Sequence, residues 1–541
     1  MGRGMHAGRA VCAALTMLAA TACGGGGSGG GDTSEVLTSS WGDPQNPLEP
    51  ANTNEVQGGK VLDMIFRGLK RYDPETAQAQ NMLAQSIETP DSQNFTVTLK
   101  DGWTFSDGEK VTARSFVDAW NYGASLKNAQ KAAEFFKYIE GYDRIHPETG
   151  KQSADTLSGL KVVDDRTFTV RLSQKFSSFP DTLGYAVFSP LPRAFFDDHE
   201  AWLKKPVGNG PYTIASYTRG AQMNLVRRDD YPGADKARNG GVTLKVYTDP
   251  NTAYTDLLAG NLDLTDDVPA AQLKNAPGDL GGRYLNQPAG IIQTIAFPYY
   301  DEAWAKPGMD KVRKGLSMAI DRDRITRTIY QSTRVPATDW TSPVLGIKGG
   351  DSKGLCGEWC TYDPARAKEL IQQGGGLPGG QVKITYNADA GSHKQWVDAV
   401  CNSINNVLGD DRACAGSPIG TFADYRNKTT KQKLSGPFRA GWQMDYPLIQ
   451  NFLQPLYYTN APSNDGKWSN KEFDGLVDRA NAETDPAKAV ALFQQAEEVV
   501  RDDMAAIPLW YQNGTGGYGE RLSDVRLNPF SVPVYTDIKV G

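Results

Sequence analysis

Two separated segments of this chain follow one plan, and that plan sets the fold class. VTLKVYTDPNTAYTDLLAGNLDL, residues 242 to 264, reads as a strand, a helix ended by Gly260, and a second strand. QVKITYNADAGSHKQWVDAVCNSINNVLG, residues 381 to 409, repeats the order, with Trp396, Val400, Ile404 and Leu408 spaced as one buried helical face. A strand beside a helix must bury a sheet face against an apolar stripe. Two such units, roughly 140 residues apart with a helical-looking stretch between them, therefore predict two α/β lobes. At 541 residues the chain has the length for one large bilobed body. Between the N-terminus and the first unit, NFTVTLKDGWTF (94 to 105) predicts a half-buried hairpin turning at Asp101-Gly102. Thr112 then opens a helix that places Phe116, Ala119 and Trp120 on one side.

The N-terminus reads as an export signal. Arg3 and Arg9 precede an apolar run from Ala10 to Ala22, too short to span a bilayer, and Cys23 is followed by GGGGSGGG. Ala20, Thr21 and Ala22 before Cys23 resemble the cleavage box of bacterial lipoproteins, with Ala20 where leucine is usual. That likeness implies a signal peptide at 1–22, an acylated Cys23 and a flexible tether over 23–33. Without residues 1–22 the chain keeps 55 Lys and Arg against 63 Asp and Glu, a net charge of -8, which argues against a nucleic-acid partner.

Beyond Cys12 and Cys23, four cysteines remain: Cys356 and Cys360 in CGEWC, then Cys401 and Cys414. In an exported chain an even number reads as disulfides, most simply 356 with 360 and 401 with 414, each closing a short loop. A four-thiolate zinc site is the rival. The histidines His6, His146, His199 and His393 form no ligand pattern.

Catalytic patterns are absent from the sequence: there is no P-loop, dinucleotide fingerprint or HExxH. GLSMA, residues 315 to 319, lacks the second glycine of a nucleophile elbow and reads as the middle of a helix running towards Ile329. The adjacent acids Asp229-Asp230 and Asp266-Asp267 read as solvated loop residues. Eleven Trp, 23 Tyr and 19 Phe are enough to line a concave organic-ligand site as well as a large core.

One carboxylate stands out. In RAGWQMDYPLIQ (439 to 450), Asp445 lies among Trp442, Met444, Tyr446, Pro447 and Leu448. Either it accepts backbone N–H groups in a turn or helix cap before Pro447, or it is a buried acid awaiting a cation.

Several spaced motifs together resemble the oligopeptide- and dipeptide-binding family of ABC-importer solute-binding proteins. They are the strand, hairpin and helix of 83 to 120, PVGNGPYTI (206 to 214), VRKGLSMAIDRDRITRTIY (312 to 330) and MAAIPLWYQNG (504 to 514). The resemblance implies an α/β, two-lobed periplasmic-binding-protein fold of type II, in its large form with an extra subdomain and hinge-linked lobes. Lobe 1 would be 34–295 plus 500–541, including an inserted subdomain at about 77–196, and lobe 2 would be 296–499. It further implies that Asp445 meets a peptide's α-ammonium and that Arg439 faces its C-terminal carboxylate, an interlobe or surface salt bridge being the alternative for Arg439. Trp442 and Tyr446 would wall the cleft, with core packing equally open to Trp442. Asn54, Glu55 and Val56, ahead of a helix over 60 to 69, would offer an extended backbone edge. Ile419, where related chains carry tryptophan, leaves side-chain preference open. The expected protein is a monomer that is not an enzyme and needs no cofactor or metal. It would be lipid-anchored on the outer face of the cytoplasmic membrane and would capture oligopeptides for membrane permease subunits. An oligosaccharide or metal chelate on the same fold, or a secreted hydrolase, are the alternatives.

Overall fold

A computed structural model describes residues 34–345, 353–389 and 393–541. Residues 1–22, Cys23 and the tether through residue 33 lie outside the described residues.

The main sheet runs, in spatial order, through Cys414–Ile419, Val382–Asn387, Phe438–Gln443, Tyr284–Ala296, Ala506–Tyr518, Leu264–Thr265, Val36–Trp41, Gly241–Val246, Gln222–Arg227 and Tyr212–Thr218. Its first three strands belong to one lobe and its last five to the other, while Tyr284–Ala296 and Ala506–Tyr518 run through both. Two 13-residue strands, Tyr284–Ala296 and Ala506–Tyr518, pair antiparallel along their length, with register shifts between Pro288 and Ile291 and between Gln293 and Thr294. Such irregularities locally bend and twist a ladder, which is what a joint between lobes needs. Two large apolar cores flank this joint. One gathers residues from Leu37 to Leu285 and from Leu522 to Val540, and the other gathers residues from Ile292 to Tyr511. Because Val500 and Met504 to Ile507 pack in the second core, the return to the first lobe comes within the strand Ala506–Tyr518 rather than at residue 500.

Both strand-helix-strand units form. Gly241–Val246, Pro250–Leu258 and Leu264–Thr265 build the first, with Gly260 at φ +76° supplying the left-handed turn. Val382–Asn387, His393–Leu408 and Cys414–Ile419 build the second, where Trp396, Val400 and Ile404 are buried and Leu408 is partly so. Disulfides join Cys356 to Cys360 and Cys401 to Cys414. Thr112 caps the helix Ala113–Ala124 and its N–H donates to Ser115 Oγ at 3.1 Å.

Four local expectations differ. Asn94–Leu99 forms no hairpin with residues 103 to 105. It is sandwiched between Ala84–Glu88 and Thr167–Arg171 in a separate four-stranded sheet, completed by Leu160–Val162. The helix expected to run through Ser317 breaks after Met318 and restarts at Arg322, with Asp321 capping the second piece. Ser317 is buried and its Oγ accepts from Arg322 Nη2 at 2.7 Å. Asp266 is not solvated: it pairs with Lys60, and both side chains are almost fully buried. Asp229 and Asp230 are exposed, as expected. Finally, the first helix spans Val56–Ile65 rather than starting at residue 60, so Val56 is helical and the extended backbone ends at Glu55.

Candidate functional site

Asp445 reaches the space between the lobes because of how its strand ends. After Phe438–Gln443, the N–H of Met444 donates to the carbonyl of Gly290 at 2.9 Å, seating the chain on the lobe crossing. A Cβ at Gly290 would fall 2.3 Å from Met444 Sδ, so any larger residue there would make the Met444 side chain move. The following residue, Asp445, faces a cavity of about 290 Å3 whose opposite wall is first-lobe: Asn54, Glu55, Val56, Lys60, Tyr72 and Tyr185. Of the expected residues, Asn54, Glu55, Val56 and Asp445 line this cavity, whereas Arg439, Trp442 and Tyr446 do not.

Two of the carboxylates that line that cleft, Glu55 and Asp445, are in different situations. Glu55 is consumed by its own helix: its Oε1 and Oε2 accept from Gly58 N–H at 3.1 and 3.0 Å, and Gln45 N–H adds a third bond at 3.3 Å. Asp445 is half-buried and caps nothing. The helix Ile449–Tyr457 is preceded by Leu448, and Asp445 Oδ2 accepts from the side-chain amide of Asn451 at 3.0 Å. Asn451 Oδ1 receives the N–H of Asp445 at 2.9 Å and Trp442 Nε1 at 3.1 Å, so one amide fixes both side chains. Among the described residues no Lys or Arg lies within ion-pair distance of Asp445. Burial lifts its carboxyl to about 7, the Asn451 bond opposing and the nearby charge of Glu134 adding to the rise.

Arg439 takes no carboxylate partner among the described residues either, so the salt-bridge alternative is not what is seen. Its Nε donates to Asn387 Oδ1 at 2.9 Å, and the guanidinium lies 5.5 Å from the ring centroids of both Phe422 and Tyr425. Asn387 is oriented in turn by Asp389, whose Oδ1 accepts its amide at 2.8 Å. Burial depresses the guanidinium's pKa and pushes nearby His393 down to about 4. Tyr446 is buried: its hydroxyl donates to Gln450 Oε1 at 2.9 Å, and its ring meets Phe135 edge-on at 6.4 Å.

Three cavities adjoin in series. Asp445 is common to the interlobe cavity and a smaller one lined by Phe135, Tyr138 and Tyr446, and Trp442 is common to the latter and a cavity of about 190 Å3 that contains Arg439. The strand Phe438–Gln443 runs beside them. On one side it pairs with Tyr284–Ala296; on the other, Phe438 alone bridges to Thr385, leaving the edge from Arg439 onward without a neighbouring strand among the described residues. Sequence reasoning missed Asn451 beside Asp445, and Tyr72 and Tyr185 on the facing wall. Asn451 alone lies close in the sequence, six residues beyond Asp445 and one past the stretch 439 to 450.

The model for bacterial extracellular solute-binding proteins, family 5, matches residues 78–464. This chain belongs to that family. Among its relatives in the family, the oligopeptide-binding protein OppA of Bacillus subtilis is 27% identical over 497 residues, covering 88% of each chain. A probable deoxycholate-binding periplasmic protein of Escherichia coli, YgiS, is 27% identical over 480 residues, covering 86% of each. Among solved family 5 folds, the unliganded open form of the murein tripeptide binding protein MppA superposes with a TM-score of 0.78 at 22% identity, over 94% of this chain and 98% of that one. OppA of Haemophilus influenzae in complex with RPPGFSPFR gives 0.75 at 21%, over 94% and 99%. The two-lobed α/β architecture is therefore the family fold.

Proposed function

We propose that this family 5 protein is the extracytoplasmic peptide-capturing subunit of an ABC importer, and that it recognises a free peptide N-terminus with Asp445. The observation that carries this is a half-buried carboxylate in the interlobe cleft with one amide bond and no cation. An ionised acid withdrawn from water is costly without a positive partner, and the α-ammonium is the one cation that every linear peptide shares. The unneighboured edge from Arg439 to Gln443 offers main-chain groups to an extended ligand from lobe 2, and Asn54 and Glu55 do so from lobe 1. Arg439, six residues from Asp445 and about 20 Å away along extended chain, is positioned to meet a carboxylate. Trp442 and Tyr446 wall the path between them. Names of relatives agree with a peptide cargo, OppA of B. subtilis and the peptide complex of H. influenzae OppA among them. In this reading the lobes close about the two hinge strands, and the liganded form engages the permease.

Calorimetry with a free-amine pentapeptide and its N-acetyl twin tests the assignment. The free amine binds and the acetylated peptide binds at least about 30-fold more weakly, the loss expected when a buried charge pair loses one partner. Equal affinities would remove the role of Asp445.

The lipid anchor at Cys23 belongs to the same proposal, motivated by the signal-like run and the glycine tether. A Cys23→Ala protein should leave the membrane fraction or stay unprocessed; wild-type protein found free and unmodified at Cys23 would contradict it.

A further inference from the structure

We propose that Glu49, Gln130 and His199 form a binding site for one divalent transition-metal ion of the zinc class, which ties together three segments packed on the first core. The hollow that Glu49 and Gln130 line shares no lining residue with the interlobe cavity, so the inference stands apart from the peptide reading.

The observation that starts the argument is a group of buried atoms lacking partners. Glu49 is 3% exposed and Gln130 7%, and neither Glu49 Oε2 nor Gln130 Oε1 has a hydrogen-bond partner among the described residues. A carboxylate taken out of water needs a positive partner, and buried polar atoms are normally bonded. Tyr122 and Ser189 bring hydroxyl-bearing side chains to the same wall, yet neither bonds to these two oxygens. His199 stands beside them. Its Nε2 is buried and lies 3.3 Å from Glu49 Oε1 without making a hydrogen bond there.

The chemistry of these atoms asks for a cation. Gln130 Nε2 donates to the carbonyl of Asn128 at 3.1 Å, so the end of the amide left free is the acceptor. Two acceptor oxygens cannot satisfy each other; something positive must stand between them. Water could offer two hydrogens, but the hollow has no room for a water molecule. A metal ion bound at about 2.0 to 2.2 Å from each donor needs less space. At a tetrahedral angle, bonds of about 2.0 Å set neighbouring donors about 3.3 Å apart. That is the spacing between His199 Nε2 and Glu49 Oε1.

The ligand-bearing segments are held in place by their own contacts. The Glu49 carbonyl accepts the N–H groups of Asn52 and Thr53 at 3.0 Å each, and Ala132 N–H donates to the carbonyl of Ala51 at 2.9 Å, joining the first two segments. The His199 ring packs edge-on against Phe195 at 4.7 Å and Tyr122 at 5.9 Å. Its side chain is 38% exposed, which gives an ion a way in from solvent. An imidazole nitrogen in the donor set favours zinc-class ions over Mg2+ and Ca2+, which take oxygen ligands. Histidine spacing could not announce such a site, because its ligands come from three separate segments.

The test uses tag-free full-length protein, stripped with a chelator and then dialysed against Zn2+. By elemental analysis wild type should retain one Zn2+ per chain, and Zn2+ at about a hundred times its Kd should raise Tm by about 2 to 3 °C over the chelated sample. Glu49→Gln keeps the shape and removes the charge, and His199→Ala changes a partly exposed ring that the fold can spare. Each should weaken Zn2+ binding at least about tenfold and abolish the Tm shift. Co2+ as the probe should give visible absorption bands in wild type that both variants lack. Wild type without bound Zn2+, or an equivalent of Zn2+ that both variants retain, would overturn the site. If wild type binds no Zn2+ and Glu49→Gln melts higher than wild type, the missing partner is a proton on Glu49 and the metal site is wrong.

Discussion

The two walls of the cleft present carboxylates in opposite states. On lobe 1, Glu55 is tied to the N–H groups of Gly58 and Gln45. On lobe 2, Asp445 holds a single bond from Asn451 and has no cation beside it. The same contrast extends to the positive groups. Lys60 on lobe 1 is neutralised by Asp266, whereas Arg439 on lobe 2 is held by Asn387 and two rings with no acid opposite. At these positions lobe 1 offers settled charges and accessible backbone, and lobe 2 offers Asp445 and Arg439 without a charged partner among the described residues. The difference teaches where selection resides: a group already satisfied within the fold has little left to give a ligand, so ligand discrimination belongs to lobe 2.

That contrast can be broken most forcefully at Asp445. Replacing it by asparagine keeps the shape and removes the charge, and affinity for a free-amine peptide should fall by about 2 to 5 kcal/mol, roughly 30-fold to several thousand-fold. An Asp445→Asn protein that binds as tightly as wild type would make the two walls equivalent.

A smaller effect comes from pH. The carboxyl of Asp445 titrates at about 7 in the empty protein, and ammonium binding requires the ionised form. Below pH 7 the acid must first release its proton, so affinity should fall by about tenfold per unit, while above about pH 8 the peptide amine itself deprotonates. Calorimetry from pH 5 to 9 should therefore give a bell with its top between about 7 and 8, and the acid limb should flatten in Asp445→Asn. For stability the sign is reversed. A carboxyl raised by folding favours the folded state below its unfolded value near 4 and loses that contribution as pH climbs towards 7.

Least affected should be the lobe 1 carboxylate. Glu55→Ala removes a helix cap, so thermal unfolding should show a loss of about 1 kcal/mol, while affinity for the peptide changes little. A large loss of affinity at unchanged stability would mean that Glu55 acts on the ligand directly, and the contrast between the walls would fail.

Much of the fold was legible because its signals are local. Both strand-helix-strand units follow from periodicity and Gly260, Thr112 caps where a threonine before an apolar-periodic run should, and the two short cysteine loops close on themselves. What was illegible depends on distant partners. Asn94–Leu99 has the alternation of any half-buried strand, and nothing within it announces a partner at Thr167–Arg171. Asp266 looks like a loop acid until the helix Val56–Ile65 turns Lys60 towards it. The motif containing Asp445, Arg439 and Trp442 could be recognised in the sequence, but the side chains that set their state could not. Asn451, Asn387 and Phe422 reach them through the close of the strand Phe438–Gln443 and through neighbouring elements.

The central claim is that Asp445 and the ligand's ammonium form one interaction, and a double cycle measures this directly. Calorimetry on wild type and Asp445→Asn, each with the free-amine peptide and its N-acetyl twin, gives four affinities. If the two changes break the same contact, acetylation costs wild type at least about 30-fold and costs Asp445→Asn less than about threefold. An equal acetylation penalty in both proteins would show that the ammonium is read elsewhere and would contradict the account.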